Sequence, residues 1–101
     1  MLGYPEDGPF DAVPARIGTT IFALMNDAYG RGPFPRTVTT LRGTVRHGDS
    51  GGPAVDASGA VETTVFAARV GGGGGFGVPT SAVRRALANA KGPVSTGPCA
   101  P

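Results

Sequence analysis

The chain has 101 residues but no tryptophan, one cysteine and one histidine. The lone cysteine, Cys99, rules out an internal disulfide. No metal site and no cofactor are expected. Charge is also sparse: Asp, Glu, Lys and Arg make up 16% of the residues, and the net charge is +2. The basic residues are scattered, with Arg84-Arg85 the one adjacent pair. That is too thin to follow a phosphate backbone, so no nucleic-acid partner is expected. The weakly charged stretches are too short or too glycine-rich to cross a bilayer. No basic-then-apolar signal segment opens the sequence. The chain as given carries no address of its own.

Glycine and proline are abundant, at 18 and 10 residues. This is the composition of short strands joined by tight turns, not of a helical bundle. The length allows one small domain with a modest core. Met1 to Pro5 ends a strand, and Glu6-Asp7-Gly8-Pro9 is a turn. From Phe10 to Leu24 apolar and β-branched residues alternate roughly, which predicts a long bent strand with a bulge at Gly18. Asn26 to Pro35 is a loop, Thr37 to Val45 a strand, and Pro53 to Asp56 a short strand. Ala57-Ser58-Gly59 is a hairpin turn. Ala60 to Val70 is a strand with Val61, Thr63 and Val65 on one face. The glycine run 71–75 is a hairpin tip, since no Lys-Ser/Thr follows to make a phosphate cradle. After the short strand Phe76-Val78, Thr80 or Ser81 caps a helix to about Lys91, burying Val83, Leu87 and Ala90. Residues 1–92 then form one domain, and 93–101 a Gly/Pro-rich tail.

The most informative segment runs from His47 to Pro53: His-Gly-Asp-Ser-Gly-Gly-Pro. It holds one hydroxyl, Ser50, in a turn rich in free backbone N–H groups. Acyl transfer needs this: a hydroxyl that attacks a carbonyl, and N–H groups that take up the developing oxyanion. The same letters fit the Gly-x-Ser-x-Gly elbow of α/β-hydrolases, which requires a helix directly after the serine. Gly51, Gly52 and Pro53 start a helix poorly, so that reading loses. A Ser-Gly-Gly run alone also fits a plain loop.

Gly-Asp-Ser-Gly-Gly-Pro resembles the nucleophile loop of trypsin- and chymotrypsin-like serine proteases. The strand order resembles their C-terminal β-barrel. Leu2-Gly3-Tyr4-Pro5 is similar to its first strand in bacterial members. Gly75-Phe76-Gly77-Val78-Pro79-Thr80-Ser81, followed by Val83-Arg84, is similar to the strand-to-helix join of high-temperature-requirement-type proteases. With Thr63-Thr64-Val65-Phe66-Ala67-Ala68 and the tail Gly92 to Cys99, the chain looks closest to mycobacterial acid-resistance periplasmic proteases. In those proteins a colicin-V-production-type membrane segment precedes the protease.

The resemblance implies an all-β fold with a C-terminal helix, a six-stranded antiparallel barrel that forms one lobe of a double barrel. It implies Ser50 as nucleophile, with the loop N–H groups of Gly48, Asp49 and Ser50 around the oxyanion and the Asp49 carboxylate as a strut. His47, Thr64, Val65 and Phe66 would contact substrate, the strand edge adding to an extended peptide. Residues 42–46 and 66–68 would wall the primary pocket. With no acidic floor, a small apolar side chain is the expected preference. His47 lies in the loop itself and would not be the base. In this family base and orienting acid come from an N-terminal lobe, so the chain reads as a C-terminal half, inactive alone. Its expected partners are that lobe and a peptide or protein substrate. The expected setting is extracytoplasmic, with membrane anchoring outside this chain, and Cys99 would pair with a cysteine elsewhere. A non-catalytic peptide-binding barrel and an unstable gene fragment are the rival readings.

Overall fold

The computed structural model describes residues 1–27 and 29–99. The elements are β1 (Leu2–Gly3), a 3₁₀ turn (Pro5–Asp7), β2 (Asp11–Ala12), β3 (Arg16–Met25), β4 (Phe34–Arg42), β5 (Pro53–Val55), β6 (Val61–Ala68), β7 (Gly74–Pro79) and α1 (Thr80–Ala88). β1 and β2 form a two-stranded antiparallel sheet. The other strands form a five-stranded antiparallel sheet in the order β3-β4-β7-β6-β5.

Among the described residues neither sheet closes on itself, so the mostly-β fold with a C-terminal helix is as expected while the six-stranded barrel is not confirmed. The expected single strand from Phe10 to Leu24 is broken between Ala12 and Arg16, around Pro14. Proline has no N–H to give to a ladder and interrupts the run. β1 packs near β5, but no ladder joins them. The bulge falls where the sequence placed it: the β3–β4 register shifts between Ile17 and Thr20, around Gly18. There the Thr40 hydroxyl donates to the Thr19 carbonyl at 2.7 Å.

The core is small. Its buried apolar residues are Met1, Val38, Leu41, Ala54 and Val65. Thr63 is buried with them and satisfies its hydroxyl on the Val78 carbonyl at 2.7 Å. Gly77 leaves room for that hydroxyl. Thr63 and Val65 thus share the inner face of β6 as expected, while Val61 at its end stays 44% exposed. α1 buries no residue, contrary to the expected apolar face: Val83 and Leu87 remain exposed. Nor does a side chain cap it. Pro79 is the N-cap residue, and the Thr80 hydroxyl donates to the Val61 carbonyl at 2.8 Å instead. β3 and the first half of β4 extend past β7, which pairs with β4 only over Thr39–Arg42. On that projecting hairpin Phe22 and Leu24 are about three-quarters and two-thirds exposed (73% and 67%).

The accessible surface is therefore large, 7362 Å². A compact chain of this mass would expose about 5,200 Å². Part of the exposed surface is apolar, with Tyr4, Phe10, Phe22, Leu24 and Leu87 among the large side chains left exposed.

The β5–β6 hairpin shows one local device well. The Asp56 carboxylate accepts from the Ser58 hydroxyl at 2.6 Å and from the N–H groups of Ser58 and Ala60 at 2.8 and 3.0 Å. The Ser58 hydroxyl, then the Ala60 and Ser58 amides, hold its pKa below the usual 3.8. A depressed folded value stabilises the fold above the unfolded pKa, and this is lost as pH falls through the folded value. Asp56→Ala is expected to lower Tm slightly at pH 7. The gap between variant and wild type should shrink once pH drops below 3.8. A gap that is unchanged in acid would show that the carboxylate charge plays no part.

Candidate active site

The segment from Arg46 to Gly52 folds as two consecutive turns. The Asp49 N–H donates to the Arg46 carbonyl at 3.1 Å, and the Gly52 N–H donates to the Asp49 carbonyl at 3.0 Å. Each turn has glycine at its third position with positive φ: Gly48 at 96° and Gly51 at 85°. That is the position where a four-residue turn of this kind accepts glycine and resists other residues. Ser50 occupies the second position of the second turn, so its side chain faces outward and is exposed.

Three attachments fix the double turn. The buried Asp49 carboxylate accepts the Arg46 N–H at 2.9 Å. The Tyr4 N–H donates to the Gly48 carbonyl at 3.2 Å, tying the loop to the chain after β1. Gly51 and Val65 complete the anchor: the Gly51 N–H donates to the Val65 carbonyl at 2.7 Å, and the Val65 N–H to the Gly52 carbonyl at 2.9 Å. Beside the loop, Glu6 and Asp7 sit at φ 57°, a left-handed conformation that costs non-glycine residues energy.

The Ser50 hydroxyl donates to the Phe66 carbonyl at 3.4 Å, a long and weak bond. Ser50 stands where two clefts meet. One, about 390 Å³, is lined by Glu6, Val45, Arg46, His47, Phe66 and the two alanines after it. The other, about 460 Å³, runs along β1 past Tyr4 and Phe10, whose rings pack edge to face with centroids 5.8 Å apart. The N–H groups of Gly48 and Ser50 donate to no group among the described residues. The Asp49 N–H is spent on Arg46 and is not a third free donor, against expectation.

The sequence-predicted residues divide cleanly. Ser50, His47 and Phe66 line one cleft. Thr64 and Val65 lie inside the ladder between β5, the serine loop and β7, and Val65 is buried. A strand edge open to a peptide therefore starts only at Phe66, where the β6–β7 register shifts. Of the expected pocket wall 42–46, Val45 and Arg46 line the cleft, whereas Arg42 lines a different one. Glu6 is a residue that sequence reasoning missed: it reads as a turn residue, yet it brings a carboxylate to the cleft that was expected to have none. Arg46 lines the same cleft without an ion pair to Glu6 among the described residues. No hydrogen bond joins His47 to Ser50 among the described residues. No group of three or more potential metal ligands occurs among them either. Cys99 is an exposed free thiol. No helix of the described residues is long and apolar enough to cross a membrane.

Comparison with known proteins agrees with this geometry. No protein-family model matches the chain. It is 43% identical, over 98% of its length, to the serine protease Rv3671c of Mycobacterium tuberculosis H37Rv and to its counterpart in strain CDC 1551. The chain spans 26% of the length of these relatives, and the match lies in their C-terminal part. Its fold superimposes on the crystal structure of the active form of the M. tuberculosis protease with a TM-score of 0.80 and 44% identity. That match covers 97% of this chain and 45% of the other. Against an inactive form the TM-score is 0.72 at 43% identity, covering 86% of this chain and 44% of that one. Sequence and fold both match the C-terminal part of a serine protease.

Proposed function

We propose that this chain supplies the nucleophile and the oxyanion-stabilising N–H groups of a serine endopeptidase whose base and orienting acid lie on a separate lobe. One observation carries the reading: an outward-facing Ser50 at the junction of two clefts, flanked by the unspent N–H groups of Gly48 and Ser50. In this scheme the Ser50 Oγ loses its proton to an imidazole from the other lobe and attacks the substrate carbonyl. The carbonyl oxygen becomes an oxyanion that accepts from Gly48 and Ser50. The carbon–nitrogen bond breaks, the imidazole protonates the leaving amine, and water then releases the acyl group. Phe66 aligns the peptide, its carbonyl accepting a substrate N–H in place of the Ser50 hydroxyl. The acyl-side cleft sets Val45 and the alanines after Phe66 beside Glu6 and Arg46, and the short side chains of Ala67 and Ala68 support a small apolar side chain as the proposed preference.

The proposed partner is a lobe carrying His and Asp, and the exposed apolar surface suits such a cover. Export, membrane attachment and a bridge partner for Cys99 are proposed to reside in sequence outside this chain. Mixing the chain with that lobe tests the scheme. Peptide hydrolysis is expected from the mixture and from neither half alone. A mixture that binds peptide without cleaving it would favour a non-catalytic peptide-binding module. That reading is supported by the lack of a base bonded to Ser50 among the described residues.

His47 is proposed to border substrate and not to serve as the base. Its carbonyl accepts the Glu6 N–H, which anchors the backbone, and its ring is exposed. In the assembled enzyme His47→Ala is expected to change KM within about tenfold and leave kcat nearly unchanged. A loss in kcat as deep as that of a nucleophile deletion would overturn this role.

A further inference from the structure

A separate cleft lies away from Ser50. It measures about 620 Å³, shares no lining residue with the two serine clefts, and is lined by Arg16, Arg42 and Arg69 without any Asp or Glu. Arg16 and Arg42 are direct partners across the β3–β4 ladder. Like charges in that position destabilise a sheet. Arg42 pairs in turn with Gly74 on β7, and the Arg69 N–H donates to the Gly74 carbonyl at 2.8 Å. Three arginines thus line one cleft, placed there by adjoining positions of β3, β4 and the segment after β6. All three are exposed, and the one ion pair among the described residues, Arg31 with Asp27, lies elsewhere.

We propose that this cleft is an anion site for a phosphate-type dianion. Guanidinium groups present rigid forks that match tetrahedral oxyanions as well as carboxylates. The count of charges decides between the two. A single carboxylate would leave two of three guanidinium charges unmatched, whereas a phosphomonoester or inorganic phosphate brings two negative charges and three acceptor oxygens. Thr40 adds no free donor, because its hydroxyl is spent on the Thr19 carbonyl. Gly75 and Phe76 of β7 also line the cleft. The same strand, through its pairing with Ala67 and Ala68, backs the acyl-side cleft of Ser50. Free phosphate and a lipid phosphate headgroup present the same recognition chemistry, and the test below separates them.

The test is independent of catalysis and uses the whole chain with Ser50→Ala. Inorganic phosphate is expected to raise Tm by about 5 °C or more at saturation, beyond sodium chloride at equal ionic strength. Arg42→Gln should abolish that rise. It should not lower Tm in the absence of phosphate, since it removes a like-charge pair. This opposite pair of effects separates a ligand site from a structural arginine. Arg84→Gln, on the helix, should keep the full rise. In solution NMR the side-chain Nε–Hε signals of Arg16, Arg42 and Arg69 should move on phosphate titration while that of Arg84 stays. Cosedimentation with phosphatidylcholine vesicles containing phosphatidic acid, lost in Arg42→Gln, would assign the source to a headgroup. A thermal rise without vesicle binding would assign it to free phosphate. An equal rise with chloride, or a rise retained in Arg42→Gln, would overturn the proposal.

Discussion

Ser50→Ala, in the enzyme assembled with its His- and Asp-bearing lobe, is expected to lower kcat by about 10⁶. The size follows from covalent chemistry. Without the hydroxyl no acyl-enzyme forms, and the remaining N–H groups and binding contacts retain only about 10³–10⁴ over water. The same substitution should leave stability almost untouched. Ser50 is exposed, and its one side-chain bond, to the Phe66 carbonyl, is 3.4 Å long. Tm should therefore stay within a degree or two of wild type, since a weak exposed bond contributes well under about 1 kcal/mol. Normal peptide turnover by the variant would remove Ser50 from the nucleophile role. A large fall in Tm would mean that any loss of rate reports unfolding.

Gly48→Ala is expected to be the most damaging single-methyl change in the chain. Gly48 holds φ at 96°, where an L side chain is strained. A methyl there would run into the carbonyl oxygen of Tyr4, which is backbone and cannot swing aside. The strain alone costs on the order of 1–3 kcal/mol. Relieving the clash would push the loop off β1 and misalign the free N–H groups of Gly48 and Ser50 together. Losing one oxyanion donor typically costs about 10²–10³ in kcat, so a fall of that size or more is expected. Gly51→Ala is the matched control. Its φ of 85° carries similar strain, but open space surrounds it. Kinetics and thermal melts of the two variants should differ sharply. Equal, mild effects would show that the Tyr4 contact does not hold the loop.

Much of the local structure is legible in the sequence because short-range rules fix it. The glycines of the serine loop demand turns, Gly18 marks a bulge, and the run 71–73 is a tip whose three glycines all have positive φ. What fails depends on contacts between distant segments. Pro14 breaks a strand that alternation alone predicts to be continuous, and whether sheets close depends on β1 meeting β5 in register. The pattern Val83, Leu87 marks a buried helix face, but a pattern specifies only a preference for burial, not what covers it. In the candidate site, Ser50, His47 and Phe66 come together as local motif and strand order suggest. Val65 does not line it, because the serine loop uses both its backbone groups. Glu6 enters the cleft through two long-range backbone tethers, Tyr4 to Gly48 and Glu6 itself to His47, which no motif announces.

Supply of the base from outside the chain is the central requirement of the proposed mechanism, and fluorophosphonate labelling read by intact mass tests it. A serine hydroxyl without an adjacent base is too weak a nucleophile to react at neutral pH. The 101-residue chain alone is expected to gain no probe mass. With the His- and Asp-bearing lobe present it should gain one probe, mapped to Ser50 and absent from Ser50→Ala. Strong labelling of Ser50 in the lone chain would contradict the mechanism, because the base would then lie within these residues.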